Sequence, residues 1–159
     1  MKTLIVGLGN PILGDDGAGW KVAGEVEHRL PKSVETSEVS VECLSLGGLS
    51  LMERLIGYQR AIVIDAIGTV YYFRLDDLYD PTSGHTTAAH DVSLMTAIQI
   101  GRSLGATLPD RIDVVAIESP YVYDFSEELT SPVAAAVPRA VEMVMNLLNL
   151  GEDATLAEV

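Results

Sequence analysis

Thr3-Leu4-Ile5-Val6-Gly7-Leu8-Gly9-Asn10-Pro11-Ile12-Leu13-Gly14-Asp15-Asp16-Gly17-Ala18-Gly19 stands near the start of the chain and decides its fold. Thr3 to Val6 is an apolar, β-type run that stops at Gly7, which predicts a buried strand. A glycine-rich loop follows, and residues 15–30 then read as a helix. Trp20, Ala23, Val26 and Leu30 recur near helical spacing, and Pro31 ends the pattern.

The same alternation continues downstream. Ser40 to Leu44 predicts a second strand and Leu49 to Ile56 a short helix. Ala61 to Ile64 is another apolar strand, and it ends at Asp65. Tyr71 to Leu75 suits an added strand, because aromatic and branched residues fit a pleated surface. Thr82 to Ala89 reads as a polar loop. Asp91 to Leu104 reads as a helix with Val92, Met95, Ile98 and Leu104 on or near one face. Ile112 to Ile117 is a final buried strand, and Ser126 to Leu150 holds the last helix, broken or started afresh around Pro132 and Pro138. Strands alternating with helices predict an α/β sandwich. In such sheets functional groups collect beyond the carboxyl ends of the strands, where residues 7–17 and Asp65 fall.

The 159 residues fit one domain, expected over 1–150, with 151–159 as a short, acidic, frayed tail. A hydrophobic fraction of 48% supports a sizeable core. Cys43 is the single cysteine, so no internal disulfide can form, and a reducing cytoplasm fits. Its place within a strand suggests a small buried hydrophobe. The apolar run at the N-terminus is too short for a signal-peptide core, and no stretch approaches the roughly 18 apolar residues of a membrane span. A soluble protein without membrane contact is expected. The formal charge of −13 opposes nucleic acid as a partner, because such a surface repels phosphate backbones. The oligomeric state stays open, and a monomer is compatible with the sequence.

The first loop is not a dinucleotide loop, since Ile12 sits where the third glycine of Gly-x-Gly-x-x-Gly belongs, and no Walker-type Gly-Lys-Ser/Thr occurs. Two adjacent carboxylates repel a phosphate and suit a cation. Asp15 and Asp16 can equally serve as helix caps, and both roles can hold at once: Asp15 capping, Asp16 facing a ligand. Asp65 reads either as a turn residue or as a carboxylate emerging from the sheet beside the first loop. Of the three histidines, His28 falls beside Glu25 and Glu27 and reads as solvated, while His85 lies in a Gly-Thr-rich loop. His90 stands at a loop-to-helix boundary, where a structural histidine and a metal ligand are both compatible. Taken together, Asp16, Asp65 and His90 make a workable ligand set for a divalent transition metal, with positions left open for water or substrate.

The pattern Gly-Leu-Gly-Asn-(x)-x-Leu-x-Asp-Asp-Gly-x-Gly resembles the signature of the hydrogenase maturation proteases. Val63-Ile64-Asp65-Ala66, Ala89-His90-Asp91-x-x-Leu94, and the strand Val114–Ile117 followed by Glu118-Ser119-Pro120 extend the match. The resemblance implies a three-layer α/β/α sandwich around a twisted, mostly parallel sheet, of the phosphorylase/hydrolase-like kind. It implies an endopeptidase that cuts the C-terminal extension from the large-subunit precursor of a nickel-containing hydrogenase after nickel is loaded. It also implies that Asp16, Asp65 and His90 are the metal ligands and the catalytic cluster, with nickel as the ion, resident or supplied by the substrate. Another divalent ion can substitute. No separate organic cofactor is implied. Many relatives carry Asp-Gly-Gly-Thr-x-Gly after the second strand, whereas this chain has Leu46-Gly47-Gly48-Leu49-Ser50-Leu51.

Neither a serine nucleophile elbow nor a histidine partner for Cys43 is apparent, so metal-assisted hydrolysis is the expected chemistry. Two other resemblances compete. Val6-Gly7-Leu8-Gly9-Asn10-Pro11 is also similar to the start of bacterial peptidyl-tRNA hydrolases, but the Thr-Arg-His-Asn stretch that follows there is absent. Asp15, Asp16 and Asp65 imitate the acidic pair and phospho-acceptor of a response-regulator receiver, but Ile117-Glu118-Ser119-Pro120 offers no lysine.

Overall fold

The computed structural model describes residues 1–30, 38–66, 71–74, 89–119 and 125–149, and within them the side chains of all but 71–73 and 89–93. Among the described residues, five strands form one sheet: β1 (Thr3–Leu8), β2 (Val39–Leu44), β3 (Arg60–Ala66), β4 (Tyr71–Arg74) and β5 (Arg111–Ile117). Their order is β2-β1-β3-β5-β4. β1 pairs parallel with β2 and with β3, β3 pairs parallel with β5, and β4 runs antiparallel along β5. The α-helices among the described residues are α1 (Ala18–Arg29), α2 (Gly48–Leu55), α3 (Ala89–Ser103) and α4 (Ser131–Asn149).

Because side chains alternate along a strand, each central strand feeds two cores. Leu4, Val6, Val63 and Val114 face α2 and α3 through Leu51, Leu55, Leu94 and Ile98. Ile5, Ile62, Ile64 and Val115 face α1 and α4 through Val22, Val26, Val141 and Val144. The result is the expected α/β/α sandwich with a mostly parallel sheet.

Several boundaries differ from the sequence reading, for physical reasons. β1 does not stop at Gly7 but continues through Leu8. Gly7 is needed within the strand, since a Cβ there would lie 2.4 Å from the Gly19 carbonyl oxygen of α1. Residues 15–30 are not one helix: Gly14–Gly17 form a single 3-10 turn, and α1 starts only at Ala18. Trp20 is half-buried and off the core face, which Val22 occupies instead. Leu104 lies beyond α3 and is 81% exposed, so the apolar face of that helix is carried by Leu94, Ala97 and Ile98. Ser126–Thr130 is not helical. α4 begins at Ser131, with Pro132 in its first turn and Pro138 inside it. Cys43 is exposed rather than buried, because β2 is an edge strand packed less deeply than β1 or β3. Of the polar loop expected over Thr82–Ala89, Ala89 already belongs to α3, and residues 82–88 with His85, as well as Leu75, Pro120, Pro31 and the tail 151–159, lie outside the described residues.

Candidate functional site

β1 and β3 are neighbours in the sheet and end on the same side, with Gly7 paired to Ile64. Asp65, the next residue of β3, therefore emerges beside the loop that leaves β1. α1 closes on both strand ends: a Cβ at Gly19 would lie 2.3 Å from the Leu8 carbonyl oxygen and 2.6 Å from that of Ile64. Only a glycine permits this approach, and it brings the 3-10 turn carrying Asp16 over the sheet edge.

The loop is folded around the Asp16 carboxylate. The Asn10 N–H donates to Asp16 Oδ2 at 2.7 Å. Asn10 Oδ1 in turn accepts the Ile12 N–H at 3.2 Å, an Asx-turn that reverses the chain. Gly9 has φ +120°, and a Cβ there would lie 1.7 Å from the Asp16 carbonyl oxygen. From β2, the Leu44 carbonyl accepts the Gly9 N–H at 3.2 Å, and Ser45 Oγ donates to the Gly9 carbonyl at 2.7 Å. Asp16 is half-buried, and its Oδ1 has no hydrogen bond among the described residues. Asp65 is likewise half-buried, and its Oδ1 accepts the Ala66 N–H at 2.8 Å.

His90 is the second residue of α3, and its side chain lies outside the described residues. The backbone nevertheless fixes its end of the molecule. α3 leads into β5 through residues 104–110, which hydrogen-bond to the turn before β3: Gly57 N–H to Thr107 O at 2.9 Å and Asp110 N–H to Gln59 O at 3.1 Å. The C-terminus of α3 is thus at the amino end of the sheet. Its 15 residues rise about 22 Å, close to the roughly 23 Å of the seven-residue β5. The N-terminus with His90 therefore returns to the carboxyl end, where Asp16 and Asp65 stand. Among the described residues, no three His, Cys, Asp or Glu side chains gather into a metal-binding group. The donor chemistry nonetheless suits a divalent ion: the Asp65 carboxylate at the end of β3 and the Asp16 carboxylate in the turn beyond β1, the latter with one oxygen held and the other open among the described residues.

Asp15 does something different from its neighbour. Neither aspartate makes a side-chain cap to its own helix. Asp15 is fully buried and accepts the Thr130 N–H at 2.7 Å, the Thr130 hydroxyl at 2.9 Å and the Ser119 hydroxyl at 3.4 Å. The two carboxylates are not one acidic pair, which removes the basis of the receiver-like comparison. Ser45 and Thr130 were not singled out by the sequence, and Ser119 only as part of the Glu118-Ser119-Pro120 anchor. Thr130 alone had a legible signal, a Thr-Ser-Pro helix start. His28 is exposed on α1, its Nδ1 2.7 Å from the Gly24 carbonyl oxygen, and is remote in role from the site.

Comparison with known proteins supports the family and the fold. The profile of the family described as hydrogenase maturation protease matches residues 25–147. The match includes Asp65 and His90 and begins after Asp16. The chain is 26% identical over 148 residues to protein FrxA of Pyrococcus furiosus, covering 88% of this chain and 100% of that one. It is 27% identical over 155 residues to the hydrogenase expression/formation protein HupD of Rhizobium leguminosarum bv. viciae, covering 92% of this chain and 74% of that one. The fold is that of the hydrogenase maturating endopeptidase HybD of E. coli, with a TM-score of 0.69, 24% identity, and coverage of 94% of this chain and 93% of that one. The chain belongs to the hydrogenase maturation protease family.

Proposed function

We propose that this chain is the endopeptidase that removes the C-terminal extension of a nickel-containing hydrogenase large-subunit precursor, acting after nickel has been inserted. Asp16, Asp65 and His90 would hold the divalent ion on which this reading turns. The observation that carries it is the Asp16 carboxylate: fixed through Oδ2 by the Asn10 N–H, with Oδ1 open among the described residues, at the sheet edge from which Asp65 also emerges. A carboxylate needed only for the loop would have both oxygens engaged, as Asp15 does.

A divalent ion bound there supplies Lewis-acid polarisation of the scissile carbonyl. The chain's own groups do the rest. The Asn10 N–H and the Gly9 turn hold Asp16 in one orientation before substrate arrives. One of the two carboxylates accepts the proton of the attacking water and returns it to the leaving amine. Nickel carried by the precursor is part of the substrate in this scheme, and the same donors then recognise loaded precursor.

The test is cleavage of nickel-loaded and nickel-free precursor by the wild type and by Asp16→Ala and His90→Ala. The expected result is cleavage of loaded precursor by the wild type alone. Full activity in both variants would sink the site.

A further inference from the structure

We propose that Asp15 is a positioning residue, which clamps the first loop to the junction before α4 and thereby sets the direction of the neighbouring Asp16 carboxylate. That Asp16 is a ligand rests on the function proposed above; the clamp itself does not.

Asp15 is fully buried, and no cationic side chain is bonded to it among the described residues. A buried carboxylate without a cation is costly, and only a full set of donors offsets it. Here the donors come from two distant segments. Ser119 follows β5, and Thr130 precedes α4, its carbonyl accepting the Ala134 N–H at 2.8 Å. Asp15 thus sits at the positive end of the α4 macrodipole, which adds to the same attachment.

A second attachment runs parallel to the first. Leu13 forms a bridge with Ser126: the Gly14 N–H donates to the Ser126 carbonyl at 2.7 Å, and the Ser126 N–H to the Ile12 carbonyl at 3.1 Å. Residues 12–15 are therefore held on both sides by residues 126–130. Asp16 is the next residue. Its N–H donates to the Leu13 carbonyl at 3.2 Å, and among the described residues its side chain has only the Asn10 N–H to hold it. A loop released at Asp15 would leave that single bond to orient the carboxylate. Groups that orient a ligand without touching the ion typically alter affinity about 10–100-fold when lost.

The Asn10 amide reports on Asp16 directly, and the Thr130 amide on Asp15. In 15N-labelled full-length chain, Asp15→Asn is expected to shift both resonances and to weaken binding of Ni2+ alone about 10–100-fold, with its stoichiometry retained. Thr130→Val should act in the same direction, Thr130→Ser should restore the wild-type values, and the two losses should not add. A variant that moves the Thr130 amide but leaves the Asn10 amide and Ni2+ affinity unchanged would show a purely local brace and overturn the proposal. Loss of Ni2+ stoichiometry would overturn it too, because Asp15 would then be a ligand. If Asp15→Asn does not fold, Thr130→Val and Thr130→Ser decide by the same readouts. A wild type that binds no Ni2+ and cleaves no precursor refutes the proposed function, while the Asn10 amide still reads the clamp.

Discussion

The two ends of the sheet carry charge in opposite ways. At the amino end, Arg60 of β3 and Asp113 of β5 are almost wholly buried. Asp113 Oδ2 accepts Arg60 Nε at 2.9 Å and Nη2 at 2.7 Å, Arg111 Nε donates to Oδ1 at 2.8 Å, and Arg60 Nη1 donates to the Leu147 carbonyl at 2.8 Å. That network ties β3, β5 and the end of α4 into one unit. A cavity of about 420 Å³ opens beside it, lined by Met1, Gln59, Arg60, Asp110 and Arg111. At the carboxyl end the Asp16 carboxylate accepts the Asn10 N–H and has no bonded cation among the described residues. Matched charge holds the structure at the amino end, while a held carboxylate with one oxygen open among the described residues fits the ion site proposed above.

The sharpest way to break the comparison is Asp113→Ala. It leaves a buried guanidinium without its partner, which should cost about 3–5 kcal/mol of stability. Denaturant unfolding measures this, and a loss under about 1 kcal/mol would contradict the structural role. Arg60→Met combined with Asp113→Leu should recover much of the loss, since an apolar pair avoids desolvating two charges. Cleavage by the folded fraction should stay close to wild type in both cases.

Asp16→Asn probes the opposite end. The amide oxygen can still accept the Asn10 N–H, so stability should change by less than about 1 kcal/mol. The lost charge should lower precursor cleavage by about 100-fold or more, equivalent to roughly 2.7 kcal/mol in the barrier. A large fall in stability with activity intact would reverse the assignment of the two ends.

Ser45→Ala should have a smaller effect. Ser45 Oγ holds the Gly9 carbonyl from β2, but the residue is exposed, so water can replace it. A loss of about 0.5–1.5 kcal/mol is expected, with a modest fall in cleavage. An effect as large as that of Asp16→Asn would place Ser45 in the chemistry itself.

The strand cores were legible because buried parallel strands are uninterrupted apolar runs, as Ile62-Val63-Ile64 is. Asp65 and the loop that carries Asp16 could be set at one end of the sheet because each follows such a run, and β1 and β3 are neighbours. The role of Asp15 was not legible, since its partners Ser119 and Thr130 lie more than a hundred residues away and nothing in the sequence links them to it. Arg60 and Asp113 escaped notice for the same reason: each is an ordinary charged residue in sequence, and only the register of β3 with β5 brings them together. Gly7 misled through its local meaning as a strand breaker, which close packing against Gly19 overrides.

Cys43 offers the mildest test, at the edge rather than the end of the sheet. It is exposed on β2, and its Sγ is 3.9 Å from the Trp20 carbonyl oxygen. Desolvation by the neighbouring packing, and then the Glu27 carboxylate, push its thiol above the ordinary range. The thiolate is the reactive form, so exposure alone should not make it reactive. Alkylation near pH 8 should run slower than for a free cysteine and speed up as the pH rises. Glu27→Gln should increase the rate only slightly, because Glu27 is the lesser cause. A rate at or above that of free cysteine would mean that the edge strand opens readily, and that β2 holds Ser45 and the Gly9 turn less firmly than the bonds from Leu44 and Ser45 imply.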